Sequence, residues 1–186
     1  DPVYSFLKGD DDAPDIFVGR FSAEDTLDVL TQVYRSITYE RDHPGACYHL
    51  GTCVASATEQ DIEHAREIVQ LLKGFTYTQV DTMFETMPPG GQSRATFINY
   101  LNQGRGIISF AGHGDICCWN FGGCCDPSEF CFQCGDVDGL TNINQLPFIY
   151  STACYVGAMD GPDPCLAEHW LRGTYHGDYK RPTGAI

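Results

Sequence analysis

With 186 residues and 42% apolar content, the chain has the length and composition for one domain with a real core. A formal charge of −14 excludes the basic footprint that nucleic-acid binding needs. No run of eighteen apolar residues occurs, so no membrane span is expected.

Residues 1–15 read as an acidic loop. Asp10, Asp11 and Asp12 form a triplet that reads as a solvated turn, with a hard-cation site as the alternative. The IFVGR run at 16–20 reads as a short strand. Ser22 to Asp25 then open a helix with a capping-box pattern. Leu27, Leu30, Val33, Tyr34 and Ile37 recur at helical spacing, which predicts an amphipathic helix to about residue 39 with that stripe inward. His43-Pro44-Gly45 ends it. Residues 53–57 (CVASA) read as a buried strand. Thr58 with Asp61 three residues on caps a second helix, carrying Ile62, Ala65, Ile68, Val69 and Leu72 to Gly74. Residues 77–83 alternate as a strand, 87–91 form a loop, and Ser93 caps a helix carrying Phe97, Tyr100 and Leu101. After the two strands discussed next, a last helix spans about 164–171, with Pro164 at its first turn and Gly173 after its end. RPTGAI at 181–186 reads as a loop feeding a further strand, so the chain, one domain over 1–186, is expected to be a fragment of a longer protein.

The chemistry gathers at two apolar runs, GIISF at 106–110 and PFIYSTA at 147–153. Just past them stand His113, in AGHGD, and Cys154, in STACY. Strand and helix alternate from Cys53 onward, which implies right-handed crossovers and a parallel sheet with helices on both faces. Both residues then emerge at the carboxyl edge, where open α/β sheets place their sites. A thiol needs a base or cation beside it to attack at neutral pH, and His113 supplies one. A Cys–His endopeptidase is the resulting expectation.

Ten cysteines are many for this length, and six lie between Cys117 and Cys134: the doublets Cys117-Cys118 and Cys124-Cys125, and the C-x-x-C pair Cys131 and Cys134. They sit in a 35-residue stretch from Gly112 to Leu146, too long for an ordinary βα connection. A zinc site calls for four ligands at paired spacing; one C-x-x-C and no His within the cluster favour a disulfide-stapled insertion over 114–139. Pairing is left open. Cys53 and Cys165 read as buried free thiols, and Cys47 has no evident partner. With no N-x-S/T sequon, an extracellular location rests on the cysteines alone.

FVGRFSAE at 17–24, YER at 39–41, YLNQGRG at 100–106, GHG at 112–114, LTNINQLPFI at 140–149, Ala153-Cys154 and PCLAE at 164–168 together resemble the gingipain family of caspase-like cysteine endopeptidases. The resemblance implies a caspase-like three-layer α/β sandwich with a mostly parallel sheet. It implies Cys154 as nucleophile, His113 as general base and acid, and an oxyanion hole from the backbone N–H groups of Gly114 and Cys154. In the family members that cleave after arginine, an Asp after the Ala-Ser-Ala strand end lines the specificity pocket; this puts Asp61 in that role. The family also places an acid directly after Ala-Ser-Ala to orient the His. Thr58 stands there in this chain, and Glu59 is the nearest candidate. The cysteine-rich insertion is a second departure. The resemblance further implies polypeptide substrates, missing flanking parts, no cofactor for the chemistry, and structural calcium, for which Asp136, Asp138 and the Asp10–12 triplet are the places to look. Two rival readings share the motif: a transpeptidase that passes the acyl group to an amine, and a non-catalytic binding module of an extracellular assembly.

Overall fold

The computed structural model describes residues 2–11, 13–42, 45–56, 58–84, 93–120 and 131–186. The His43-Pro44 stop, Ala57, the 87–91 loop, Asp12 and the Cys124-Cys125 doublet lie outside them.

Four parallel strands form the central sheet: β1 (Leu50–Ala55), β2 (Gln79–Phe84), β3 (Ile107–Ala111) and β7 (Phe148–Thr152), in the order β2-β1-β3-β7. Between β1 and β2 the chain makes α2 (Glu59–Gly74), started by the Thr58 hydroxyl accepting from the Asp61 N–H. Between β2 and β3 it makes α3 (Arg94–Asn102), started in the same way by Ser93. Period-two alternation in the strands separates two cores. Cys53, Ala55, Val80 and Phe84 face Ile62, Ala65 and Val69 of α2. Val54, Met83, Ile108 and Phe110 face Phe97 and Leu101 of α3 and the later elements. The result is a three-layer sandwich. Because the chain moves one way from β1 to β2 and the other from β3 to β7, its switch point lies between β1 and β3, where open sheets form a crevice at their carboxyl ends.

Beyond β3 the cysteine-rich stretch is regular structure on both sides of residues 121–130. Strands β4 (His113–Asp115), β5 (Cys118–Asn120) and β6 (Cys131–Gln133) make a small antiparallel sheet, followed by α4 (Cys134–Asp138). It is not merely a loop laid over the surface: Trp119 and Phe132 are buried in the α3 core. Trp119 stacks on Phe110 with centroids 4.5 Å apart, and Phe132 on Trp170 at 5.4 Å. Contacts of this kind add about 0.5–1.5 kcal/mol each beyond area burial. A Cys117–Cys134 disulfide closes the base of the hairpin, Cα atoms 5.3 Å apart. Cys53 and Cys165 are buried free thiols, and Cys47 is also buried.

The structure corrects three local expectations. Residues 16–20 form no strand and are exposed, Phe17 fully so. The first helix, α1 (Thr26–Asp42), turns the opposite face inward. Its buried residues are Thr31, Gln32 and Arg35, while Leu27, Leu30, Val33 and Ile37 are exposed. The reason is Arg35, whose guanidinium donates to four carbonyls, those of Trp170 (2.7 Å), Gly173 (2.9 Å), Thr183 (3.0 Å) and Ala185. Those carbonyls belong to the end of α5 (Leu166–Arg172) and the tail, so hydrogen bonding outweighs the apolar stripe in setting the helix rotation. The tail forms a hairpin over 174–182, β8 (Thr174–Tyr175) with β9 (Asp178–Pro182), so Arg181 and Pro182 close a strand instead of opening a loop, while 183–186 are irregular. Its turn uses His176 at φ 55° and Gly177 at φ 75°.

Candidate active site

Three strand ends meet at one level of the sheet edge. In register, Ala55 pairs with Ala111 and Ala111 with Thr152. The next residues continue the contact: Ser56 N–H donates to the Ala111 carbonyl at 3.0 Å, and Gly112 N–H to that of Thr152 at 3.2 Å. The chains leaving β3 and β7 therefore remain side by side as His113 and Cys154 begin.

How closely they approach is set by Gly114. A Cβ on it would lie 2.8 Å from the Cys154 carbonyl oxygen, 2.8 Å from Val156 Cγ1 and 2.9 Å from Ala153 Cβ. Glycine is thus required here by packing, with the backbone next to His113 seated directly on the backbone of Cys154. Cys154 is exposed and His113 half-buried. Directly after Cys154 the chain turns sharply: Tyr155 has φ 58°, a conformation disfavoured for a bulky residue, and Val156 N–H donates back to the Cys154 carbonyl at 2.8 Å. The Cys154 N–H donates to no acceptor among the described residues, leaving it free for an oxyanion.

The sequence reading missed the residues that hold the His-bearing strand. The buried Ser56 hydroxyl donates to the Asn120 carbonyl at 3.0 Å, and Asn120 pairs with His113 across β4 and β5. A Cβ on Gly112 would lie 2.5 Å from Ser56 Oγ. The Trp119 indole N–H donates to Ser151 Oγ at 3.1 Å, tying the hairpin to β7. The Ala-Ser-Ala motif contained Ser56, but the role of Asn120 depends on strand pairing that no spacing rule announces.

Asp61 stands half-buried in the first turn of α2, and the Thr58 hydroxyl donates to its Oδ2 at 2.6 Å. It is a capping acid with Oδ1 making no hydrogen bond among the described residues. Glu59 is exposed beside it and makes no hydrogen bond to His113. The calcium expectation at Asp136 and Asp138 does not fit. Calcium takes about six to eight oxygens, whereas Asp136 accepts from Arg94 (2.6 and 2.9 Å) and from the Gln133 N–H, and Asp138 lies against His169 at 2.8 Å. Acidic groups form no convergent cluster among the described residues.

The doubly wound parallel sheet places a thiol and an imidazole on adjacent strand ends, the pairing that nucleophilic thiol chemistry needs. The chain belongs to peptidase family C25, whose family model matches residues 1–181. It is 33% identical over its whole length to gingipain R2 and gingipain R1 of Porphyromonas gingivalis. It spans 25% and 18% of their respective lengths. The fold matches a crystal structure of the Arg-specific cysteine proteinase gingipain R with a TM-score of 0.84, covering 100% of this chain and 42% of that one. A complex of the Porphyromonas gingivalis RgpB pro- and mature domains matches at 0.85, covering 43% of that chain. The sandwich is therefore the caspase-like fold of the gingipains.

Proposed function

We propose that this chain is the catalytic part of a cysteine endopeptidase that cleaves polypeptides after arginine. The observation that carries the reading is the seating of Gly114 on the Cys154 backbone, which sets His113 and Cys154 on neighbouring chains at one sheet edge. In this mechanism the Cys154 thiolate attacks the scissile carbonyl. The Cys154 N–H and the N–H of Gly114 receive the developing oxyanion, a contribution of about 2.7–4 kcal/mol per donor in comparable sites. His113 protonates the leaving amine and then takes a proton from the water that releases the acyl group. Asp61, at the mouth of the β1 edge, offers a carboxylate that a substrate guanidinium would engage. The Arg-specific relative supports this choice of side chain. The Cys117–Cys134 disulfide supports an oxidising, extracellular setting. No described helix is long and apolar enough to cross a membrane.

The test is hydrolysis of a peptidyl-arginine amide by the full chain and by Cys154→Ala, His113→Ala and Asp61→Asn. Turnover should vanish in the first and fall about 10²–10⁴-fold in the second. In the third, the preference for arginine over leucine should collapse while leucine cleavage persists. Residual turnover in a clean Cys154→Ala preparation overturns the mechanism; an unchanged preference in Asp61→Asn leaves that residue as a cap alone.

A further inference from the structure

The hydrolytic reading leaves unused a cluster at the base of the cysteine-rich hairpin. Cys117 lies in the turn between β4 and β5, Cys134 opens α4, and His169 projects from α5. Their ligand atoms, two sulfurs and a ring nitrogen, all lie within 4.8 Å of one another. Behind the imidazole, His169 Nδ1 is 2.8 Å from Asp138 Oδ1. That contact fixes the ring and leaves Nε2 as its free ligand atom, with the carboxylate one step outside the cluster. Two thiolates and an imidazole braced by a carboxylate form the donor set and outer support that zinc prefers. The sequence shows no histidine among the cysteines; the fold imports one from α5.

Access is graded as a metal site requires. Cys134 is buried, His169 half-buried and Cys117 exposed, so an ion can enter at Cys117 and find the other two ligands held in place. The frame is built from both sides: Cys134 N–H donates to the Cys117 carbonyl at 3.1 Å, and Leu166 N–H, at the start of α5, to that of Ile116 at 2.7 Å.

We propose that Cys117, Cys134 and His169 form a zinc-type site when the disulfide between the two cysteines is reduced, with Asp138 orienting the imidazole. A thiol or phosphine reductant supplies two electrons and the S–S bond breaks. Two thiols result: two reductant thiols give up their protons and leave as a disulfide, or water gives two protons and its oxygen and the phosphine leaves as its oxide. One Zn²⁺ then displaces the two thiol protons and binds two thiolates and Nε2, with a fourth position open to water. In the oxidised chain the sulfurs are spent on each other. The site would suit a thiol enzyme, because conditions that keep Cys154 reduced also threaten the staple of the hairpin carrying His113. The metal replaces that staple and clamps the hairpin to α5. The site stands whether or not Cys154 acts as nucleophile.

The experiment uses the full chain bearing Cys154→Ala, which removes the competing thiol near His113, reduced anaerobically with a phosphine and titrated with Co²⁺ and Zn²⁺. One equivalent of Co²⁺ should give the thiolate charge-transfer band and intense visible bands of a tetrahedral ion, erased by one equivalent of Zn²⁺. Asp138→Asn should weaken zinc binding about 10–100-fold, and His169→Ala or Cys117→Ser should abolish the tetrahedral spectrum. Zinc should raise the melting temperature of the reduced chain and leave the oxidised chain unmoved. Circular dichroism of each variant separates lost binding from lost fold, and the exposed Cys117→Ser serves if Cys134→Ser does not fold. Binding unchanged in His169→Ala, or lost instead in Cys131→Ser, would assign the metal to the cysteines alone and overturn the proposal. Absence of a tetrahedral spectrum in the reduced, folded chain would do the same.

Discussion

Gly114→Ala is the most informative single perturbation of the catalytic edge. Its Cβ would meet the Cys154 carbonyl oxygen and Val156 Cγ1 at 2.8 Å, where ordinary contact begins near 3.4 Å. The gap must open by the difference, 0.6 Å, and the atoms in the way are backbone and a short branched side chain without a flexible end. The cheapest relief moves the His113 strand away from the Cys154 turn. Overpacking of this kind costs about 1–3 kcal/mol, or roughly 2–12 °C in melting temperature at this chain length. Catalysis suffers more, because a misplacement of about 1 Å between reacting groups costs about 10²-fold. We expect kcat/KM toward a peptidyl-arginine amide to fall about 10–100-fold in a variant that still melts cooperatively. Gly74→Ala, where a Cβ meets nothing within 4 Å, is the matched control and should keep full activity. A Gly114→Ala variant within threefold of the parent would refute the claim that this contact sets the spacing of His113 and Cys154.

Three further outcomes follow from the buried chemistry. Replacing Arg35 by Leu removes four hydrogen bonds and strands the Thr183 and Ala185 carbonyls, while those of Trp170 and Gly173 keep the Ala185 and Thr183 N–H groups; thermal denaturation should show a loss of about 3–5 kcal/mol, and a loss below about 1 kcal/mol would show that the apolar stripe of α1 can take over the packing. Although burial works against it, Glu168 is held below its ordinary value of 4.5 by the Ser22 hydroxyl, the Cys165 N–H and Arg172. Its contribution to stability is therefore complete above that unfolded value and is lost as pH falls through the lower folded one. Denaturant titrations from pH 7 to pH 3 should show a shallower decline for Glu168→Gln than for the parent, and parallel declines would contradict the assignment. Burial pushes the Cys53 thiol up to about 12, and burial together with contact to Cys131 does the same for Cys118. Cys47 and Cys165 are also raised, mainly by burial. Limiting iodoacetamide at neutral pH should therefore label the exposed Cys154 ahead of these four, as read by peptide mass spectrometry; equal labelling of Cys53 would mean that the sheet opens on the timescale of alkylation.

Much of the scaffold was legible in the sequence because local signals agreed there. Thr58 and Ser93 cap the helices they were expected to cap, and the apolar runs before His113 and Cys154 pair in parallel as their compactness implied. The orientation of α1 was not legible. Its apolar stripe is genuine, but Arg35 reaches carbonyls 135 or more residues away, and no local pattern records such partners. The cysteine-rich stretch hid its structure for a related reason. Cysteine density signalled a staple, while Trp119 and Phe132, the residues that bury the hairpin in the core, stand singly in three-residue strands too short for periodicity to show. At the site, residue types named Cys154 and His113, but the role of Gly114 as a spacer and the Ser56–Asn120 support exist only once the strand ends are side by side. His169 is the extreme case: a single histidine on a C-terminal helix becomes a metal-ligand candidate through tertiary packing alone.

The central claim is that Cys154, paired with His113, is the nucleophile of an arginine-directed peptidase. Its most direct test is reaction of the native full chain with an irreversible peptidyl-arginine probe, followed by peptide mapping. The account predicts one adduct, on Cys154, lost on prior denaturation, much slower in His113→Ala and outcompeted by free peptidyl-arginine substrate. An intact, reduced Cys154 that takes no adduct in the folded chain, or an adduct formed at equal rate in His113→Ala, would contradict it.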